Sequence, residues 1–160
     1  MAVEVGQQAP DFTLKNPANE DVSLSDFRGR NVVLVFFPAA FSSFCTTQLS
    51  EIGEHEGRYA ENDAQVIGIS VDSRHSLRAF GEQLGLRDTV LLADFHPKGE
   101  VARRYGVYMD EAGIAARATF VVDREGVVRS AVVNAPPEIP DEEEYFRTLA
   151  ACNAGEAPAA

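Results

Sequence analysis

The chain has 160 residues, 45% of them apolar and 24% charged, with no tryptophan and a net charge of −11 from 14 Lys and Arg against 25 Asp and Glu. That length suits one domain with a core of its own, and the acidic balance, with no basic run to offset it, speaks against a nucleic-acid partner. Two cysteines and three scattered histidines (His55, His75 and His96) make neither a disulfide framework nor the four closely spaced ligands of a structural zinc site.

The start, MAVEVGQQAPDF, has neither a basic stretch nor an apolar run of the kind a signal peptide carries. The longest unbroken apolar run, Val32 to Phe37, is far too short to cross a bilayer. The expectation is a cytoplasmic protein with no membrane partner. APDFTLKN and DVSLSDF alternate around Pro17-Ala-Asn19 and read as a small hairpin. NVVLVFF, short, unbroken and rich in β-branched and aromatic residues, reads as a strand covered on both faces. From Ser43 the spacing of Leu49, Ile52 and Tyr59 becomes helical, and the helix is expected to run to about Ala60.

QVIGISVD is a second buried strand, followed by a helix through Leu77, Phe80 and Leu84. TVLLAD is a third strand and GEVARRYG a short helical turn. ATFVVD and GVVRSAVV flank Asp123-Arg124-Glu125-Gly126, which reads as a hairpin turn. After the proline-rich NAPPEIP, DEEEYFRTLAACN begins with acids that suit the positive end of a helix dipole. NAGEAPAA reads as a loose tail. Alternating βα units followed by an antiparallel hairpin and a last helix imply a thioredoxin-like α/β fold: a mixed central sheet flanked by helices, with an N-terminal β-hairpin extension. We therefore expect a single domain over residues 1–152 and a flexible tail over 153–160.

If NVVLVFF is a central strand, Cys45 lies beyond its C-terminal end, where open α/β sheets build their sites. A cysteine in the first turn of a helix faces unpaired backbone N–H groups and the positive dipole end, which favour thiolate over thiol. The helix end contributes only about 1–2 kcal/mol, so a cation is needed as well. Pro38 fixes the chain at the strand exit and can bend the loop over the cysteine. Ser42 can donate and accept, as a group holding an electrophile's oxygen must, and Phe41 and Phe44 supply apolar walls. Each has a plainer use: a buried thiol, a serine N-cap, a proline ending a strand. Those uses leave the joint spacing Pro38-x3-Ser42-x2-Cys45 unexplained.

That segment, P-x-x-x-[ST]-x-x-C at the exit of a hydrophobic strand, resembles the active-site segment of peroxiredoxins. APDFTL, GRNVVLVFFP, YGV at Gly106 and RATFVVDREGVV from Arg117 extend the resemblance over nearly the whole chain. FFP-x-AF is similar to the one-cysteine, alkyl hydroperoxide reductase E type. The resemblance implies a thiol-dependent peroxidase acting on hydrogen peroxide and organic hydroperoxides, with Cys45 as the peroxidatic cysteine. Pro38 becomes the shielding proline, Ser42 fills the Thr/Ser position, and Arg117 is the active-site arginine. On its residues alone Arg117 has no distinction beyond preceding a core strand. The reaction implied is attack of sulfur on a peroxide oxygen, giving a sulfenic acid. No cofactor or metal is called for, and the chain has no G-x-G-x-x-G or P-loop.

The chain departs from that pattern in places. Gln48 stands where many relatives carry glutamate, removing a carboxylate that could anchor arginines or shuttle protons. The position five residues after Cys45, where some relatives resolve, is Ser50. Cys152 lies near the end but lacks the Val-Cys-Pro surround of resolving cysteines there. The expectation is a one-cysteine enzyme whose sulfenic acid is reduced by an external thiol or a thioredoxin-, glutaredoxin- or mycoredoxin-like protein, with a Cys152-resolved enzyme as the alternative. The resemblance also implies a homodimer. A disulfide oxidoreductase would want C-x-x-C. A hydrolase would want a base better placed than His55, whose flanking Glu54 and Glu56 suggest a solvated helix face. A redox sensor, chaperone or scaffold on this fold is the remaining alternative.

Overall fold

An apolar strand with no polar face must be covered on both sides, and the fold is built around that need. The structure, a computed structural model, describes residues 2–155; of the expected tail, 156–160 lie outside the described residues. In chain order these form β1 (Thr13–Lys15), β2 (Asp21–Ser23), a 3-10 turn (Leu24–Phe27), β3 (Asn31–Phe36), α1 (Ser43–Glu54), α2 (Glu56–Glu61), β4 (Ala64–Ser70) and α3 (Arg74–Leu84). They continue with β5 (Val90–Ala93), α4 (Glu100–Arg104), β6 (Tyr108–Met109), β7 (Ile114–Ala115), β8 (Arg117–Val122), β9 (Val128–Asn134) and α5 (Glu142–Asn153).

Seven strands make one sheet in the order β2-β1-β5-β4-β3-β8-β9, and β6 and β7 make a separate pair. β3 runs parallel to β4 and antiparallel to β8, so the sheet is mixed, as expected. The N-terminal hairpin joins the sheet edge where Lys15 of β1 pairs with Ala93 of β5.

Side-chain alternation divides the core into two layers. Val32, Leu34 and Phe36 face a layer with α4, the N-terminal segment and Tyr105, whose ring meets Phe36 at 5.2 Å and Phe120 at 5.1 Å. Val33, Val35 and Phe37 face the layer made by α1, α2, α3 and α5. Phe36, Phe37 and Leu34 are fully buried, and each such side chain contributes roughly 1.5–3 kcal/mol. Both cysteines belong to the second layer.

The helix expected over Ser43 to about Ala60 is broken at His55, which leaves helical geometry with φ −109° and ψ 13°. Glycines on either side, Gly53 and Gly57, weaken the helix there. The break aims two side chains at tertiary partners. His55 Nδ1 meets the half-buried Glu142 carboxylate at 2.8 Å. Glu56 accepts the backbone N–H groups of Arg87, Asp88 and Thr89 and the Thr89 hydroxyl. A solvated helix face is therefore the wrong reading of Glu56, whose carboxylate fastens the loop that leads into β5. Asn153, read as the start of the tail, is the last residue of α5, and its side chain bonds Asn31 and the Asn62 carbonyl.

Candidate active site

Cys45 is the third residue of α1, and with Gln48, Leu49 and Ile52 it forms the buried face of that helix. The one-turn spacing of Cys45 and Gln48 puts both on the sheet side. Upstream, Pro38 to Ser42 carry the chain from β3 into α1 through a tight turn. Phe41 holds a left-handed backbone with φ 69°, the Ser42 hydroxyl donates to the Ala39 carbonyl at 2.9 Å, and the Ala40 amide donates to Asp72 Oδ2 at 2.8 Å. Ser42 is the N-cap by position, but its side chain makes no bond to the helix amides. The capping role does not account for this serine.

β8 supplies the cation. Its alternation sends Ala118, Phe120 and Val122 into the first layer, leaving Arg117 on the α1 side with Val121. Pairing of Phe36 with Ala118 sets Arg117 just past the end of β3, where the chain turns towards Cys45. Arg117 is 3% exposed, and its Nη1 donates to Cys45 Sγ at 3.5 Å and to Gln48 Oε1 at 2.5 Å. Nη2 donates to the Pro136 carbonyl at 3.2 Å, and Nε has no hydrogen-bond partner among the described residues. Among the described residues, every oxygen that holds this guanidinium is neutral. Negative charge on Sγ therefore meets a permanent cation that no bonded carboxylate compensates.

Cys45 is 0% exposed, so the loop must move for any electrophile to reach its sulfur. Phe41 and Phe44 are 48% and 45% exposed on either side of Ser42, and the Phe41 ring packs edge-on against Phe80 at 5.1 Å. Pro38 is half-buried at the strand exit.

The structure thus brings together Pro38, Phe41, Ser42, Phe44, Cys45, Gln48 and Arg117. It keeps Cys152 apart. Asn153, next to Cys152, bonds Asn31 at the start of β3, whereas Cys45 follows the other end of that strand. Six strand residues span ~20 Å, and a disulfide requires α-carbons within about 7 Å. Both thiols are free and buried, and burial pushes the Cys152 thiol up from its ordinary range. Two contributors escape sequence reasoning. The Pro136 carbonyl sits in a stretch legible only as a proline-rich loop, and Asp72 carries no local sign of its reach to Ala40.

A thiol at a helix start thus faces a buried guanidinium across the edge of a mixed α/β sheet, an arrangement that would favour negative charge on sulfur. The AhpC/TSA family model matches residues 5–131. Alkyl hydroperoxide reductase E of Mycobacterium tuberculosis is 40% identical over 153 residues, covering 95% of this chain and 99% of the relative. Peroxiredoxin tpx1 of Schizosaccharomyces pombe is 37% identical over 158 residues, covering 93% and 81%. Among solved structures, AhpC of Enterococcus faecalis superposes with a TM-score of 0.85 at 31% identity, over 96% of this chain and 94% of that one. The mitochondrial 2-Cys peroxiredoxin of Plasmodium falciparum gives 0.82 at 29% identity, over 98% and 100%. The chain belongs to the peroxiredoxin family. It has the family's thioredoxin-like fold and is a thiol-dependent peroxidase. Among the described residues, no helix is long and apolar enough to cross a membrane.

Proposed function

We propose that this protein reduces hydrogen peroxide and organic hydroperoxides by a one-cysteine cycle centred on Cys45, with an external thiol or redoxin as reductant. The observation that carries the reading is the Cys45–Arg117–Gln48 contact set at the mouth of β3. The Cys45 thiolate attacks one peroxide oxygen in line with the O–O bond. An S–O bond forms, the O–O bond breaks, and the departing oxygen leaves as alkoxide or hydroxide and takes a proton, giving alcohol or water. Cys45 is left as a sulfenic acid. Charge moves from sulfur towards the departing oxygen, so fixed donors act most strongly in the transition state. Arg117 Nη1 and the first-turn amides of α1 are those donors. Ser42 has its hydroxyl on the Ala39 carbonyl and offers its remaining lone pairs to a peroxide proton. Pro38 closes the loop over sulfur, and Phe41 and Phe44 give an apolar approach suited to alkyl hydroperoxides.

The far placement and burial of Cys152 support reduction by an external thiol. That thiol displaces water from the sulfenic acid to give a mixed disulfide, and a second thiol releases Cys45. A cytoplasmic homodimer with a redoxin as partner is the setting that suits this cycle. The test is mass spectrometry of the reduced protein after one equivalent of hydroperoxide with dimedone, on wild type, Cys45→Ser and Cys152→Ala. The expected result is a dimedone adduct on Cys45, absent from Cys45→Ser, with thiol-driven turnover retained in Cys152→Ala. Loss of turnover in Cys152→Ala, together with a Cys45–Cys152 disulfide in wild type, would overturn the one-cysteine cycle.

A further inference from the structure

The strand exit that carries Pro38 to Ser42 contains a non-glycine residue in the left-handed region, Phe41 at φ 69°. Such a conformation is strained for a residue with a Cβ and persists only when its surroundings hold it. Two contacts outside the turn hold this one. One is the Phe41 ring against Phe80. The other is the Asp72 carboxylate, 32 residues from Ala40 in sequence, which accepts the Ala40 amide at 2.8 Å.

Asp72 is itself fixed before the loop reaches it. The hydroxyl of Ser70, a 0% exposed residue at the end of β4, donates to the same Oδ2 at 2.6 Å. The Asp72 amide donates back to Ser70 Oγ at 3.3 Å. Ser70 is locked in turn by its pairing with Ala93 of β5. The carboxylate is not spent on the helix that follows, because Ser73 caps α3 by accepting the Ser76 amide. A chain of contacts therefore runs from the rigid sheet through Ser70 and Asp72 to Ala40, at the middle of the turn that delivers Ser42 and Cys45.

We infer that Asp72 is a positioning residue for the peroxidase reaction: its carboxylate latches the Pro38–Ser42 turn so that Cys45 enters α1 facing Arg117. The inference rests on the reading of Cys45 as the peroxidatic cysteine. The latch acts unequally on the two half-reactions. Peroxide attack needs the turn at or near its closed position, the arrangement in which Cys45 Sγ meets Arg117. Reduction needs a wider opening, because a buried sulfur that a small displacement of the turn uncovers to a peroxide stays out of reach of a dithiol or of a thiol carried on a larger molecule. Weakening the latch should slow the first step and spare or speed the second. A residue that merely stabilised the fold would depress both.

The test is a pair of single-turnover measurements on Asp72→Ala, Asp72→Asn and Ser70→Ala. Because the chain has no tryptophan, quench-flow mass spectrometry follows Cys45 oxidation by hydrogen peroxide and then its reduction by dithiothreitol. A charge-assisted bond to a backbone amide is worth about tenfold or more in rate when lost. Asp72→Ala is expected to slow oxidation by at least about that factor without slowing reduction. Asp72→Asn, which keeps an oxygen for the Ala40 amide, should recover to within about threefold of wild type. Ser70→Ala should fall between the two. Hydrogen exchange at the Ala40 amide should accelerate in Asp72→Ala and stay near wild type in Asp72→Asn. Oxidation within twofold of wild type in a folded Asp72→Ala overturns the inference, as does parallel slowing of both half-reactions in Asp72→Ala and Asp72→Asn. Should Asp72→Ala not fold, an oxidation rate for Ser70→Ala equal to wild type overturns it as well. A wild-type protein in which Cys45 is inert to peroxide refutes the peroxidatic reading instead, and the Ala40 exchange comparison still decides whether Asp72 holds the turn.

Discussion

Arg117 Nη1 lies 2.5 Å from Gln48 Oε1, and the same nitrogen donates to Cys45 Sγ. One N–H-bearing atom therefore ties the amide of α1 to the thiol of α1, and Gln48 sets where the guanidinium points. Gln48→Ala leaves a buried guanidinium short of one acceptor, a loss of about 1–3 kcal/mol. The peroxide rate constant of Gln48→Ala should fall roughly tenfold. Gln48→Glu keeps an oxygen at the same place and should stay within about fivefold of wild type. Rate constants from competition with a reference peroxidase check both. A Gln48→Glu variant as slow as Gln48→Ala would show that charge rather than position matters at this site.

Arg117→Lys tests the shape of the cation. The guanidinium serves three acceptors from two nitrogens: Cys45 Sγ, Gln48 Oε1 and the Pro136 carbonyl. A lysine ammonium keeps the charge but not the planar fork. The variant should lose ~10²-fold in peroxide rate, the scale of removing one donor from a developing oxyanion. Activity within threefold of wild type would mean that charge alone suffices.

Cys45, Ser42 and Pro38 were legible because their relationship is local, eight residues written in a row. Arg117 was not legible on its own residues. It stands 72 positions from Cys45, and only strand register brings it to the thiol; family resemblance supplied what periodicity could not. Both core layers follow from alternation in the strands and one-sided spacing in the helices. The break at His55 does not, because Leu49, Ile52 and Tyr59 keep nearly the same spacing across it. What decides it is the reach of His55 and Glu56 to Glu142 and to the 87–89 loop. Asp72 was hidden for a similar reason: an aspartate between a strand and a helix reads as a cap, and here Ser73 does that work.

Phe41 offers a test of backbone strain at the site. Phe41→Ala and Phe41→Gly both lose the ring contact with Phe80, but only glycine accepts φ 69° without a Cβ penalty. Set against the greater freedom of glycine in the unfolded chain, the Gly variant should be more stable than the Ala variant by about 0.5–1 kcal/mol. Urea denaturation of the two proteins measures the difference. An Ala variant equal to or more stable than the Gly variant would mean that residue 41 is not held left-handed in solution.

Glu56 predicts a feature of the acid limb of stability. Burial pushes its carboxyl up, but the Thr89 hydroxyl and the amides of Arg87, Thr89 and Asp88 outweigh burial, and the carboxyl ends below its ordinary value of 4.5. A carboxylate depressed in the folded state contributes stability that is fully present above the unfolded value. That contribution is lost as pH falls through the folded one. The group is partly exposed, so solvent screening limits the net effect to about 1 kcal/mol. Glu56→Gln, whose amide nitrogen has no lone pair for these donors, should therefore be less stable than wild type by about that amount from pH 7 down to about 5. The gap should narrow below pH 4.5 as the wild-type carboxyl is protonated. Urea denaturation at half-unit steps from pH 7 to 3 follows it. A gap that stays constant to pH 3 would mean that the Glu56 cradle binds the neutral acid as well as the anion.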